Sequence, residues 1–554
     1  MSSDQLIYEE SATNETSQIP FSGKDYVYVL DSNNGSYAGS QVIIETSSLA
    51  NMDRFANFAE AYISIPIVMT LNAPTAGVVG FGASNMQMAA ALKAGYWNLI
   101  HSMSVDYNGT NVVQSTPYTN FHVAYKMVTT LSADDVNKYG PSLGYQKDSS
   151  MSFQWSPFNT PTTSGVGVSN NRNFFTAQPA NAALAAQDTL NSGLAARQKL
   201  TAFDPTAAPW STFMNASNAN ATGKDYYFNS ATDTGFKAWY VIATIRLKDV
   251  SDFFAKMPLV KGASLRFTVN LNTSVSTITT ANPLTLTSTP GGIQAVNGTA
   301  CAMIASAAAN NGAAAFPALV GNYQLAVSVA RVQNSSLPSN GISHPTLNSC
   351  RLYVPMYAFT PEFASQYLSL GTKKKVTYND LYQFTVSNVA GGGSFNQLIT
   401  NGLPNLKKLI IIPFLSTSIA GSIAPYLSPF DSAPATTSPL AALGQLQVQV
   451  SGTNIWSMQQ QYDWESFLHE LSDSGINGGK TTGLCSGLLS ALDFQTSYRY
   501  IVCDLGRRLT TEEGVPKSIQ ILGQNQSNQP LDLFVFVEYE KSLSIDVVTG
   551  QKLE

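Results

Sequence analysis

A few short runs in this 554-residue chain carry the residue types that chemistry needs. Gly475-Ile476-Asn477-Gly478-Gly479-Lys480-Thr481 has the outline of a phosphate-binding loop, in which backbone N–H groups cradle phosphate and a lysine neutralises it. That loop needs four residues between its first glycine and Gly-Lys, which would require glycine at Ser474, and it should follow a strand, whereas this run follows a helical pattern. Gly483-Leu484-Cys485-Ser486-Gly487 outlines a nucleophile elbow with cysteine in the serine place, yet an elbow needs a parallel sheet to present it and its surroundings read as all-β. The histidines are His101, His122, His344 and His469, and none has metal-ligand spacing to another His, Cys or Glu. His122 and His469 fall on two helical patterns and are expected on helix surfaces. Lys373-Lys374-Lys375 is the main basic run and Arg507-Arg508 a lesser one; both read as solvated side chains, with weak contact to an anionic neighbour as the functional alternative. Gly391-Gly392-Gly393 reads as a turn. No catalytic, cofactor-binding or metal-binding set emerges.

Those runs depend on the elements around them, and composition bounds what the elements can be. Hydrophobic residues make up 44% of the chain, enough for sizeable cores, while charged residues are 12%, about half the usual share. Ser, Thr, Asn and Gln supply the surface polarity, as suits a surface that packs against neighbours, because interface cores are depleted in charge. The formal charge of −5 provides no global pull towards nucleic acid. Met1 to Gln18 lacks the apolar region of a secretory signal, and no stretch approaches the 18 apolar residues of a membrane span. Cys301, Cys350, Cys485 and Cys503 are scattered without CxxC spacing, so reduced thiols are expected. The Asn-x-Ser/Thr sequons at Asn215, Asn220 and Asn297 are expected to be silent without an export signal.

The pattern that organises the chain is a duplication. Met103, Val105 and Tyr107 alternate with polar residues into Gly109-Thr110-Asn111, and 343 positions on, Leu446, Val448 and Val450 run in the same way into Gly452-Thr453-Asn454. The register persists: Phe121, Ala124, Tyr125 and Val128 fall on Trp464, Phe467, Leu468 and Leu471, both at helical spacing. Each copy reads as strand, turn and short helix, with Asn120 and Asp463 as helix N-caps. Tyr62 to Val68, centred on Pro66, echoes Leu409 to Leu415, centred on Pro413. Proline cannot donate to a ladder, so an edge or bulge is expected there. After the helix the first copy carries about 84 extra residues, with only Asn181 to Leu200 helical in pattern, and a second low-complexity excursion runs from Thr273 to Val320. Insertions of this size are expected to project from exposed loops.

Short apolar runs punctuated by turn residues, such as Asn33-Asn34-Gly35-Ser36, make both copies all-β. The expected division is a flexible N-terminal arm (1–23), a first sandwich (24–359) with insertions at about 140–235 and 273–322, a helical linker (360–372) opened by Thr360-Pro361, a second sandwich (373–547) and a C-terminal tail (548–554). The order of the last strands stays open: Ser518 to Leu522 matches either Leu265 to Val269 or the strand after it.

Glu60 to Pro66, Tyr107 to Thr110 on to Tyr139-Gly140-Pro141-Ser142-Leu143-Gly144, and Gly392 to Gly402 resemble double jelly-roll major capsid proteins of the polinton-like virus and virophage group. The resemblance spans about residue 24 to 545 and is absent from the two insertions. It implies two tandem jelly rolls and a homotrimeric, pseudo-hexameric capsomer that tiles an icosahedral shell of a DNA virus, with insertions raised outward as towers. Its implied partners are neighbouring capsomers, penton and minor capsid proteins, with weak internal contact to viral DNA. The implied location is the virion, after synthesis inside the host cell. The implied role is structural and not enzymatic; a carbohydrate-binding or adhesive β-sandwich protein is the competing class.

Overall fold

The computed structural model of the chain describes residues 20–33, 35, 37, 40–72, 89–148, 197, 236–282, 285–295, 301–305, 321–329, 349–369, 371–416, 424–427, 432–437, 441–473, 486–506 and 513–553. Eight strands frame the first half: β1 (Phe21–Leu30), β2 (Gln41–Glu45), β3 (Tyr62–Asn72), β4 (Ile100–Tyr107), β5 (Thr110–Val113), β6 (Phe236–Arg246), β7 (Leu265–Leu271) and β8 (Arg351–Phe359). Eight more frame the second: β9 (Lys373–Val389), β10 (Ser394–Leu403), β11 (Leu406–Leu415), β12 (Leu443–Val450), β13 (Thr453–Asn454), β14 (Ile501–Asp504), β15 (Lys517–Asn525) and β16 (Leu531–Asp546).

The first half pairs as β1-β8-β3-β6 and β2-β7-β4-β5, the second as β9-β16-β11-β14 and β10-β15-β12-β13, all antiparallel. Adding eight to each label of the first half gives the second, so the two copies share one strand order. First strand beside last, in two packed sheets with short edges, is the jelly roll. The chain is a double jelly roll. Pairing also assigns the strand left open by the sequence: β15 lies between β10 and β12 as β7 lies between β2 and β4.

The duplicated turn has a backbone cause. Asn108 and Gly109 (φ 47° and 80°), and Ser451 and Gly452 (φ 50° and 81°), are both left-handed, joining Tyr107 to Thr110 and Val450 to Thr453. Two-residue turns of this hand match the twist of the strands they join, and glycine adopts the second position without steric cost.

Several details differ from the sequence reading. Helix α1 (Thr119–Thr130) is preceded by Tyr118 as N-cap, and Asn120 lies inside it, buried, its Nδ2 donating to Asn98 Oδ1 at 2.7 Å. Asp463 does cap its helix, accepting from Ser466 N at 2.8 Å. Pro66 does not mark an edge, since it stands in an interior strand beside a gap in one ladder, whereas Pro413 stands where its strand is open on one side. Beside Pro66 the pairing passes from β8, which reaches Ser64, to Gly321–Val329, which begins at Ile67. Beside Pro413, β14 covers only Lys408 to Ile411. Part of the second insertion is sheet: Ser274–Asn282 pairs with both Thr285–Ala295 and Gly321–Val329, prolonging the sheet of β3. The first strand begins at Phe21, inside the stretch expected as arm, and Lys552–Leu553 pairs with Ser544–Ile545 of β16. Asn181 to Leu200 lies outside the described residues except for buried Arg197, whose Nη1 pairs with Asp148 Oδ1 at 2.7 Å. Among the described residues no helix is long and apolar enough to cross a membrane.

Candidate functional site between the two sandwiches

The two halves exchange core residues. Phe121, Tyr125 and Val128 of α1 belong to the core of the second sandwich, while Val376, Tyr378, Leu543 and Ile545, from β9 and β16, belong to that of the first. On β16, Phe534, Phe536 and Glu538 alternate onto one outer face, and α1 lies across it. The Phe121 ring meets Phe534 at 4.8 Å and Phe414 at 5.2 Å, and Tyr125 meets Tyr500 at 5.3 Å. Full burial of each such side chain stabilises the joint by about 1.5–3 kcal/mol.

A cavity of about 220 Å³ opens in this seam, lined in part by His122, Lys126, Asp252, Asp380, Lys408 and Glu538. Glu538 Oε1 accepts from His122 Nε2 at 2.9 Å and from Lys408 Nζ at 3.2 Å. Burial raises the Glu538 carboxyl, but the Lys408 ammonium and the His122 hydrogen bond outweigh it and bring the pKa to about 2. Burial lowers His122 against the opposing pull of Glu538, so its ring donates through Nε2–H as neutral imidazole. Burial likewise lowers Lys408, with Glu538 opposing. Lys126 Nζ donates to the carbonyls of Lys248 and Asp249 at 3.1 and 3.3 Å. Asp380 accepts from Lys541 Nζ, from Tyr539 OH and from the backbone N–H of Gln114, the last two at 3.4 Å.

Further bonds cross the joint. Lys93, fully buried, donates to the carbonyls of Ala433 at 2.7 Å and Pro425 at 3.3 Å. Tyr107 OH and Asn108 Nδ2 each donate to Gly550 O at 2.7 Å, and Tyr378 OH donates to Val112 O at 2.7 Å. The charged groups of the seam are thus spent on one another or on backbone, and among the described residues of the seam no nucleophile stands beside a free base. The arrangement is suited to holding two sandwiches at one angle.

The sequence-level candidates disperse. Gly475 to Thr481, Cys485, His344, Arg507 and Arg508 lie outside the described residues. Gly487, at the end of the elbow-like run, has φ +65°, and a Cβ there would stand 2.5 Å from the Thr129 carbonyl, so this glycine serves close packing against α1. His122 is buried, correcting the surface placement, because α1 is covered by a second sandwich that its own periodicity does not reveal. His469 is exposed on its helix as expected. His101 is half-buried, edge-on to Tyr118 at 5.0 Å, with its pKa lowered by burial to about 4. Cys301, Cys350 and Cys503 are buried and form no disulfide. Among the described residues no group of three His, Cys, Asp or Glu could hold a metal. Lys374 stands over the Tyr367 ring at 4.1 Å. Lys408 and Glu538 were missed, although a charge inside an apolar run, Lys408 before Leu409-Ile410-Ile411-Ile412 and Glu538 after Leu533 to Val537, is a legible sign of buried pairing.

The fold defines a class, the double jelly-roll proteins. No family model and no curated protein matches the chain. Among solved structures, a chain of the Sputnik virophage is similar at a TM-score of 0.50 and 10% identity, covering 98% of this chain and 90% of that one. The mavirus major capsid protein (TM-score 0.40, 9% identity, 98% and 92% covered) and the Faustovirus major capsid protein (0.41, 10%, 96% and 92%) are also similar. At 10% identity the likeness to the Sputnik chain is one of fold.

Proposed function

We propose that this protein is the major capsid protein of an icosahedral DNA virus, a structural subunit that works by tiling and not by catalysis. The observation that carries the reading is the joint: two jelly rolls of one strand order, locked by exchanged core residues and buried ion pairs into a single block. A shell unit must hold its shape while load passes through it, and antiparallel sandwiches with short edges do so without indiscriminate strand pairing. In this reading three chains form a pseudo-hexagonal capsomer that meets neighbouring capsomers, penton and minor capsid proteins in the virion, and Lys373 to Lys375 make at most weak contact with DNA. In the same reading the insertions at about 140–235 and 273–322 would supply the towers. Mass measurement of the purified full chain in solution tests this, followed by electron microscopy of concentrated samples. A trimer that forms sheets or shells supports it; a monomer that binds glycans overturns it.

A further inference from the structure

Among the described residues there is one sandwich-to-sandwich contact and the two surfaces for a second. In the first contact, α1 of the first sandwich lies on the outer face of β16 and β11. The equivalent face of the first sandwich, on β8, β3 and the edge strand β1, has no cover among the described residues. Tyr26, Tyr28 and Leu30 are 50%, 53% and 51% exposed there. Tyr28, Tyr353 and Tyr62 stand directly opposite one another across three strands, with Tyr353 and Tyr62 stacked at 4.9 Å and the Tyr28 and Tyr353 rings tilted at 6.0 Å. Arg351 lies over the Tyr28 ring at 4.9 Å, its Nε buried without a hydrogen-bond partner. Tyrosine and arginine together are what interfaces enrich, offering large contact area with a polar tip.

The matching donor is the second copy's helix, α4 (Trp464–Asp473) once the short helices Ala133–Leu143 (α2) and Pro361–Ser369 (α3) are counted. Phe467 and Leu471 are buried in their own sandwich. Trp464 and Leu468 occupy the positions of Phe121 and Tyr125, two of the α1 side chains that reach the neighbouring sandwich; both remain only part-buried, Trp464 with one side against Phe467 and Phe494. Glu465, exposed, occupies the position of His122. Among the described residues there is no third sandwich for this helix to cover.

We propose that the Tyr26, Tyr28, Tyr62 and Tyr353 face receives helix α4 of a second copy of this chain, with Trp464 and Leu468 inserted and Glu465 paired with Arg351. Resting on the capsomer reading, this names the contact that repeats between chains the joint made within one. It also moves the carboxylate: the internal joint's helix-to-strand hydrogen bond has its carboxylate on the strand, at Glu538, and the external pair has it on the helix, at Glu465. Because the receiving face is tyrosine-rich where the internal face is phenylalanine-rich, the contact between chains is the more polar and the more reversible of the two.

The test places a benzophenone amino acid at Tyr28 in the full chain, irradiates the assembled protein and sequences the linked peptide; the side chain is half-exposed, so folding is not at stake. Linkage between chains within 464–472 is expected. A charge swap accompanies it: Glu465→Arg weakens association roughly tenfold or more, and Arg351→Glu in the same chain restores it. A wild-type trimer whose cross-link maps elsewhere, or whose association ignores the swap, overturns this surface and leaves the capsid reading standing. A wild-type chain that stays monomeric overturns both.

Discussion

Glu538, on the last long strand, accepts a hydrogen bond from His122, 416 positions earlier, and the same oxygen meets Lys408 at 3.2 Å. One carboxylate thus ties the first sandwich's helix to two strands of the second, in a site where all three side chains are buried.

Removing that carboxylate strands the lysine. Glu538→Gln is expected to destabilise the chain by about 3–5 kcal/mol, whereas Glu538→Leu with Lys408→Met removes both charges and costs less. Denaturant unfolding of the single and double variants checks the ordering.

Stability should fall with acidification in two stages. His122 and His101 have pKa values lowered by burial, so the unfolded chain takes up their protons first and stability is lost as pH drops below about 6.5 towards 4. Glu538, held at about 2, contributes stability that is present above its ordinary value of 4.5 and is lost as pH falls from there towards 2. Tm measured across pH 7 to 3 should show the first decline, and His122→Gln should remove part of it.

Phe121→Ala should loosen the two halves from each other, because its ring fills a nest formed by Phe414, Tyr426 and Phe534. The expected loss is about 3–5 kcal/mol. Hydrogen exchange should report faster opening along β11 and β16 than along β2 and β7.

Gly487→Ala forces a Cβ against the α1 carbonyl at a left-handed backbone position. A cost of about 1–3 kcal/mol is expected. The same exchange at Gly514 (φ +76°), where a Cβ meets nothing within 4 Å, should cost less, which calorimetry of the pair resolves.

Cys301, Cys350 and Cys503 are fully buried, and burial pushes the Cys350 thiol up, so native protein should resist thiol reagents at all three. Any native labelling should vanish in Cys485→Ser; labelling that survives would contradict the packing at the other three.

Much of the architecture is legible along the chain because its causes are local. Alternation in Met103 to Tyr107 and Leu446 to Val450 records half-buried strands, and the residues at Gly109 and Gly452 record turns of one hand. The helical spacing shared by Phe121 and Trp464 records two equivalent helices. From such patterns the duplication and the all-β class can be read before any contact is known, while the double jelly roll is implied by a family resemblance and the strand pairing shows it. What those patterns cannot carry is which face meets which. Phe121 and Trp464 have the same period, yet one is sealed by the second sandwich and the other is left half-covered. His122 looks like a surface residue until Glu538 and Lys408 close over it, and Pro66 looks like an edge until Ser64 and Ile67 are found to pair with different strands. Periodicity reports burial along one element, whereas the joint arises between elements hundreds of residues apart, so only the tertiary structure decided that the two sandwiches form one block.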